Sequence, residues 1–178
     1  MGDPNPKFNA SFINEFNFKS YLTLNFQFDW IYGSHVYNQT KEWMYRDGIS
    51  GDYDNKFSIQ GGTPEAWTAF YRGMYAQVSR DGTKSYFYEN SSFLRLRNVA
   101  LGFDFAKAFK IKAFHKLQLV VGGRNLWTKT KYTGMDPEIS SASTTNTVNG
   151  QNSSWDRGTD HNTLPNYKSW QVGLNVGL

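Results

Sequence analysis

One stretch constrains the fold of this chain more than any other. Leu22, Leu24, Phe26, Phe28 and Trp30 alternate with Thr23, Asn25, Gln27 and Asp29 without an exception. Side chains of a strand point to opposite faces with a period of two, so this run predicts a strand with one apolar and one polar face. The stretch before it sets Phe8, Ala10, Phe12, Phe16 and Phe18 against Asn9, Ser11, Glu15 and Asn17, with Ile13 and Asn14 as misfits. Both apolar sets sit at even numbers, and opposed residues of a hairpin share a face. The connection is therefore odd in length, and Lys19-Ser20-Tyr21 predicts a tight turn.

The pattern returns later in the chain. Val99, Leu101, Phe103 and Phe105 alternate with Asn98, Ala100, Gly102 and Asp104; Leu117, Leu119 and Val121 follow, less strictly, against Gln118, Val120 and Gly122. The end carries Trp170, Val172, Leu174, Val176 and Leu178 against Ser169, Gln171, Gly173, Asn175 and Gly177. Five strands are expected, near 8–18, 22–31, 93–105, 117–128 and 167–178, with long loops over 32–92 and 133–166. Lys107, Lys110, Lys112 and Lys116 mark the connection 106–116, a solvated turn or short helix in preference to a binding patch. In the first loop, Thr63 as cap and Pro64 in the first turn precede Trp67, Phe70, Tyr71, Met74 and Tyr75 at helical spacing. A second helix is expected from Ser34 to Tyr45, with Val36, Thr40, Trp43 and Met44 on one side and Asp47-Gly48 as its stop. Ser140 to Asn152 is rich in Ser, Thr and Asn and has no periodicity, as in a mobile loop.

Composition narrows the classes. Aromatic residues make up 17% of the chain, yet mean hydropathy is -0.62 and no apolar run approaches the ~20 residues of a membrane helix. A transmembrane barrel gives that combination, because lipid-facing and lumen-facing residues cancel in any window; a soluble all-β domain with large polar loops gives it too. Length fits one domain. The net charge of +4 arises from 19 basic and 15 acidic residues without a basic run, which disfavours nucleic acid as a partner. With no cysteine there is no disulfide framework and no thiolate metal site. Met1 to Pro6 has neither a basic n-region nor an apolar h-region, so an exported protein is not expected to begin naturally at Met1.

Alternation alone does not separate a sandwich that buries its own face from a barrel whose apolar face meets lipid, but the loop lengths do. Outer-membrane barrels have short periplasmic turns, long extracellular loops and a periplasmic C-terminus. Counted back from Leu178, every long loop then falls outside and every short connection inside. The same assignment puts Trp30, Trp127 and Trp170 at the extracellular end of the apolar band, with Phe18, Tyr21, Phe103 and Phe105 as a periplasmic counterpart. Aromatic girdles of this kind mark membrane boundaries. Arg95 and Arg97 share the parity of the lipid face, so they belong above the apolar band unless a bulge turns them inward. Five strands do not close a barrel, and an open edge in hydrocarbon costs several kcal/mol per unsatisfied group. The chain is therefore expected to be part of something larger.

Three segments and the end of the chain are familiar. Gly2-Asp3-Pro4-Asn5-Pro6-Lys7-Phe8, the run Ser92-Phe93-Leu94-Arg95-Leu96-Arg97-Asn98-Val99-Ala100-Leu101-Gly102-Phe103, and Gly123-Arg124-Asn125-Leu126-Trp127 through Lys131-Tyr132-Thr133-Gly134-Met135-Asp136-Pro137-Glu138 resemble, in order, signatures of SusC/RagA-type TonB-dependent transporters of Bacteroidetes. Gly173-Leu174-Asn175-Val176 resembles their last strand, so the likeness spans almost the whole chain. It implies the last strands of a barrel of about 22 strands enclosing a plug. It also implies an extracellular loop starting at Asp136-Pro137-Glu138, and an assembly signal in the final strand. Such signals end in an aromatic residue, whereas Leu178 stands here. The implied partners are the rest of the barrel and plug, TonB, outer-membrane lipid and a SusD-like surface lipoprotein. The implied cargo is an oligosaccharide or peptide. Plug, TonB box and signal peptide are not in the sequence.

His35, His115 and His161 are far apart and no nucleophile motif accompanies them, so an enzyme is not expected. Asp47, Asp52, Asp54 and Asn55 hint at calcium, but the EF-hand glycine and terminal glutamate are not at their spacing; a solvated turn is preferred, and no metal or cofactor is expected. For a sugar, aromatic platforms beside amides and carboxylates are the candidates: Trp43, Tyr45, Tyr53, Trp67, Tyr71 and Trp155. Packing of the loops or of the lipoprotein contact is the favoured role for any one of them. A soluble all-β carbohydrate-binding module and a passive outer-membrane porin are the competing readings.

Overall fold

The computed structural model describes residues 2–57, 64–66, 83–138 and 158–177. It falls into two compact units, one holding 6–33, 92–131 and 165–178, the other 1–5, 34–91 and 132–164. No helix among the described residues is long and apolar enough to cross a membrane.

The first unit is a five-stranded antiparallel sheet of β1 (Phe8–Phe18), β2 (Leu22–Tyr32), β7 (Phe93–Asp104), β8 (Lys116–Thr130) and β10 (Ser169–Gly177), in the order β1-β2-β7-β8-β10. The five strand spans expected from alternation are close to these. Phe18 pairs with Leu22, so the first turn has three residues, and Lys19 and Ser20 take φ of 47° and 61° to make it. The pairing puts Phe12 opposite Phe28, and Phe26, Val99, Gly123 and Trp170 in one row across four strands. A short helix, α2 (Phe105–Phe109), capped by Asp104 accepting from the Lys107 amide at 3.2 Å, starts the connection between β7 and β8.

A bulge settles the place of the two arginines. Gln27 pairs with Asn98 and Phe28 with Leu96, so Arg97 is an extra residue in β7. The inserted residue flips the parity of the strand. Leu94 and Leu96 share the apolar face before it, Val99, Leu101 and Phe103 after it, and Arg95 moves to the polar face opposite Asp29 and Thr128. On β8 the same discontinuity passes through Asn125, at φ 54°. A Cβ on Gly123 would lie 2.7 Å from Leu126 Cδ1, so glycine leaves room for that leucine on the apolar face. Both signature segments of the sheet thus meet at one irregularity.

The second unit is built from the long connections. β3 (His35–Asn38) pairs antiparallel with β6 (Tyr88–Asn90) and parallel with β9 (Thr159–Asp160); β4 (Lys56–Phe57) pairs with β5 (Glu65–Ala66). Its helix α1 (Gln39–Arg46) follows β3 directly. The helix expected from Ser34 is therefore corrected at its start. His35, Val36 and Tyr37 find strand partners remote in sequence, and Asn38 caps α1 by accepting from the Lys41 amide at 2.9 Å. It ends at Asp47-Gly48 as expected, with Gly48 at φ 74°. The other expected helix is corrected at its first turn, where Glu65–Ala66 is strand; its remainder, 67–75, lies outside the described residues, as does 140–152. The core of this unit is aromatic: Tyr45 and Phe87 are buried, with ring centroids 5.8 Å apart, and Tyr37 lies 6.4 Å from Phe87.

Candidate functional site

The sheet has two chemically opposite faces. On one lie Phe12, Phe16, Phe26, Phe28, Leu101, Val121, Val172 and Leu174, and within the sheet unit no second sheet stacks on them. Phe12 is 61% exposed, Val172 71% and Trp170 71%. In water such a face is costly at roughly 25 cal/mol per Å²; in hydrocarbon it is not. The opposite face is a polar network. Asp29 accepts from Ser11 Oγ at 2.8 Å, Gln27 Nε2 at 2.7 Å and Arg97 Nε at 2.6 Å. Arg97 Nη1 reaches Asn125 Oδ1 at 3.3 Å, Asn98 Nδ2 donates to Gln27 Oε1 at 3.1 Å, and Arg95 Nε to Thr128 Oγ1 at 3.0 Å. The two misfits obey this division badly: Ile13 is opposite Gln27 on the polar face and Asn14 opposite Phe26 on the apolar one.

At one end of the apolar face the three expected tryptophans form a staircase. Trp30 stands at the end of β2, Trp127 is level with Phe28 through Leu96, and Trp170 is level with Phe26 through Val99 and Gly123. Each step is two residues of β2: 30, 28, 26. With strands about 4.8 Å apart and about 3.3 Å per residue, a drop of four residues over three strands is a slope of roughly 40°. That slope equals the tilt at which strands run in a membrane barrel. At the other end the four expected rings are in contact: Phe18–Tyr21 at 6.5 Å, Tyr21–Phe103 at 5.5 Å and Phe103–Phe105 at 4.8 Å. Phe109, which alternation did not single out, extends the row at 6.3 Å from Phe105.

In the loop unit, two carboxylates tie distant segments together. Glu89 accepts from Lys41 Nζ at 3.1 Å and from the Thr133 amide and hydroxyl at 2.8 and 2.7 Å. Burial raises the affinity of Glu89 for a proton, but the bonds from Thr133 and Lys41 outweigh it and hold the carboxyl below the usual glutamate value. Asp160 accepts from Tyr132 Oη at 2.5 Å and Thr40 Oγ1 at 3.2 Å. Burial, then the bond to Asp160, pushes the Tyr132 phenol well above its ordinary value; burial and Asp52 do the same to Tyr45. Beside these groups opens a cleft of about 630 Å³ lined by Lys41, Met44, Asp52, Met135, Asp160 and Leu164, among others. No periodicity of the sequence points to it, since its walls come from segments as remote as Asn38 and Leu164.

Of the aromatic candidates, none lines the cleft among the described side chains. Trp43 stands edge-on to His161 at 4.6 Å under the Arg46 guanidinium. Tyr45, 2% exposed, is packed in the core and donates to Asp52. Tyr53 belongs to a 3-10 turn, Gly51–Asp54, and its side chain is outside the described residues, as are Trp67, Tyr71 and Trp155. Among the described residues no three His, Asp or Glu side chains gather where a metal ion would be held. Asp47 pairs with Arg46 at 2.8 Å on the surface, while Asp52 faces Tyr45.

No protein-family model matches the chain. It is 27% identical over 177 residues to the TonB-dependent receptor P3 of Formosa agariphila, a match covering 99% of the chain and 17% of that protein. It is 36% identical over 102 residues to the TonB-dependent receptor SusC of Bacteroides thetaiotaomicron, covering 54% of the chain and 8% of SusC. The fold matches the RagAB peptide importer in its open-open and closed-closed states, with TM-scores of 0.59 and 0.60 at 20% identity, over 99% of this chain and 18% of that one. The chain thus spans less than a fifth of the length of each. Two-faced strands, bulged signatures and these likenesses converge: the chain is homologous to the TonB-dependent receptors P3 and SusC, and its sheet has the fold of a segment of such a barrel.

Proposed function

We propose that residues 1–178 are the C-terminal portion of an outer-membrane active importer, coupled to TonB and working with a SusD-like surface lipoprotein on oligosaccharides or peptides. The observation that carries this reading is the uncovered apolar face backed by a hydrogen-bonded polar one, a division that suits lipid outside and a wet lumen inside. In this reading the loops 32–92 and 133–166 are extracellular, the C-terminus is periplasmic, and Trp30, Trp127 and Trp170 form the outer girdle, with Phe18, Tyr21, Phe103 and Phe105 as the inner one. The cargo crosses unchanged, so no catalytic residue is assigned. A peptide is supported by the likeness to a peptide importer. The cleft at Lys41, Asp52 and Asp160 supports a ligand contact in the loops; separately from it, Trp43, Tyr45, Tyr53, Trp67, Tyr71 and Trp155 are kept as candidate platforms for a sugar.

The test is fractionation and uptake with the intact receptor. It should stay with outer membranes after alkaline washing, and uptake of labelled peptides or oligosaccharides should stop when TonB is deleted. Release into buffer without detergent contradicts the membrane reading and restores the soluble binding module. Uptake indifferent to TonB indicates a passive pore.

A further inference from the structure

The hairpin-turn edge of the sheet carries a charge pattern that import does not explain. Register fixes what meets there. Phe18 pairs with Leu22, Leu22 with Phe103, Asp104 with Gln118 and Gly177 with Lys116. The Asp104 amide donates to Tyr21 O at 2.7 Å and the His115 amide to Gly177 O at 2.9 Å. The turn 19–21, the connection 105–115 and the end of β10 therefore share one edge. Lys19, Lys107, Lys110, Lys112 and Lys116 are exposed there. Across 16–24, 102–117 and 174–177 the sole acidic side chain is Asp104, buried and occupied in capping α2 and pairing with Lys107 Nζ at 3.8 Å.

Directly above this basic edge runs the row Phe18, Tyr21, Phe103, Phe105 and Phe109, continuous with the apolar face. Phe109, 68% exposed, lies past the end of β7 among the lysines. Lys19 Nζ sits 5.3 Å from the centre of the Phe18 ring, cation beside aromatic. Rings at the hydrocarbon boundary with lysines one step outside them match the layering of a bilayer, where acyl chains end and phosphates begin.

We propose that this edge binds the headgroups of anionic phospholipids in the adjacent leaflet, with Lys19, Lys107, Lys110 and Lys112 on the phosphates and the five rings among the first acyl carbons; Lys116, opposite Gly177, belongs to the polar face. The inference rests on the membrane reading above. An acidic protein segment is the competing occupant, but it would leave the exposed Phe109 and its neighbours without an apolar medium. Each lysine near an anionic leaflet is worth on the order of fivefold in local affinity, falling off within a Debye length.

The intact receptor, reconstituted into nanodiscs mixing phosphatidylglycerol and phosphatidylcholine, tests this by mass analysis of the lipids it retains after delipidation. The wild type should retain phosphatidylglycerol preferentially, and less so as salt rises. Replacing all four, Lys19→Gln, Lys107→Gln, Lys110→Gln and Lys112→Gln, should abolish the preference without preventing insertion. The four Lys→Arg replacements should keep it, which separates charge from folding. A receptor that inserts but shows no preference, or a glutamine variant that keeps it, overturns the proposal alone. Failure to insert into any lipid overturns the membrane reading, and this one with it.

Discussion

The sheet and the loop unit spend the same kind of residue in opposite ways. In the sheet, Phe12, Phe16, Trp170 and Val172 are exposed on one face, and the polar side chains bond to one another across the other. In the loop unit, Tyr45 and Phe87 are turned inward, and the carboxylates of Asp160, buried, and Glu89, half-buried, join segments distant in sequence. A chain that can bury Tyr45 and Phe87 is not short of ways to hide aromatics from water. In the reading proposed above, the uncovered apolar residues of the sheet have a different solvent: the loop unit is organised for water, the sheet for hydrocarbon on one face and water on the other.

The contrast is open to mutation. Phe87→Ala should cost the loop unit about 3–5 kcal/mol, the usual range for emptying a buried aromatic site, seen as lost amide-exchange protection of β3 and β6 with membrane insertion intact. Loss of insertion would mean that the two regions are not separable. Val121→Arg, mid-face between Leu101 and Val172, should destabilise the membrane-inserted barrel by about 2–4 kcal/mol in a denaturant titration in lipid. A neutral result would mean that Val121 faces water. Asp29→Ala takes the carboxylate from Arg97 and Gln27, and a loss of about 1–2 kcal/mol in the same titration is expected, since the pair is partly solvated. The smallest effect is that of pH. Because the folded value of Glu89 lies below the ordinary glutamate value, its contribution is present above about pH 4.5 and lost as pH falls through the lowered value. Protease protection of the loop unit should weaken there before the sheet responds, and Glu89→Gln should remove that step.

Much of the sheet was legible because its physics is local. Period-two alternation located the strands, and the matching parity of Phe18 and Leu22 required a three-residue turn. The bulge at Arg97 was not legible, since parity assigns Arg95 to the apolar face until an inserted residue resets it; an unbulged register would set Asp29 opposite Leu96, and only the bulge brings Arg95 to it. The loop unit was read less well. Val36 and Met44 fit a helical stripe, but His35–Asn38 became a strand because Tyr88–Asn90 and Thr159–Asp160 pair with it, and nothing near Val36 announces partners so remote. The cleft was missed for the same reason. Tyr45 illustrates the limit of composition: an aromatic beside carboxylates reads equally as a platform or as a core side chain, and packing decided.

The most direct measurement exploits the absence of cysteine from the chain. Single cysteines along β10, spin-labelled in the reconstituted receptor, report access to oxygen dissolved in lipid and to a water-soluble nickel complex. The account predicts that positions 170, 172, 174 and 176 favour oxygen while 171, 173 and 175 favour nickel, in strict alternation. Equal access to the water-soluble probe on both faces would contradict it.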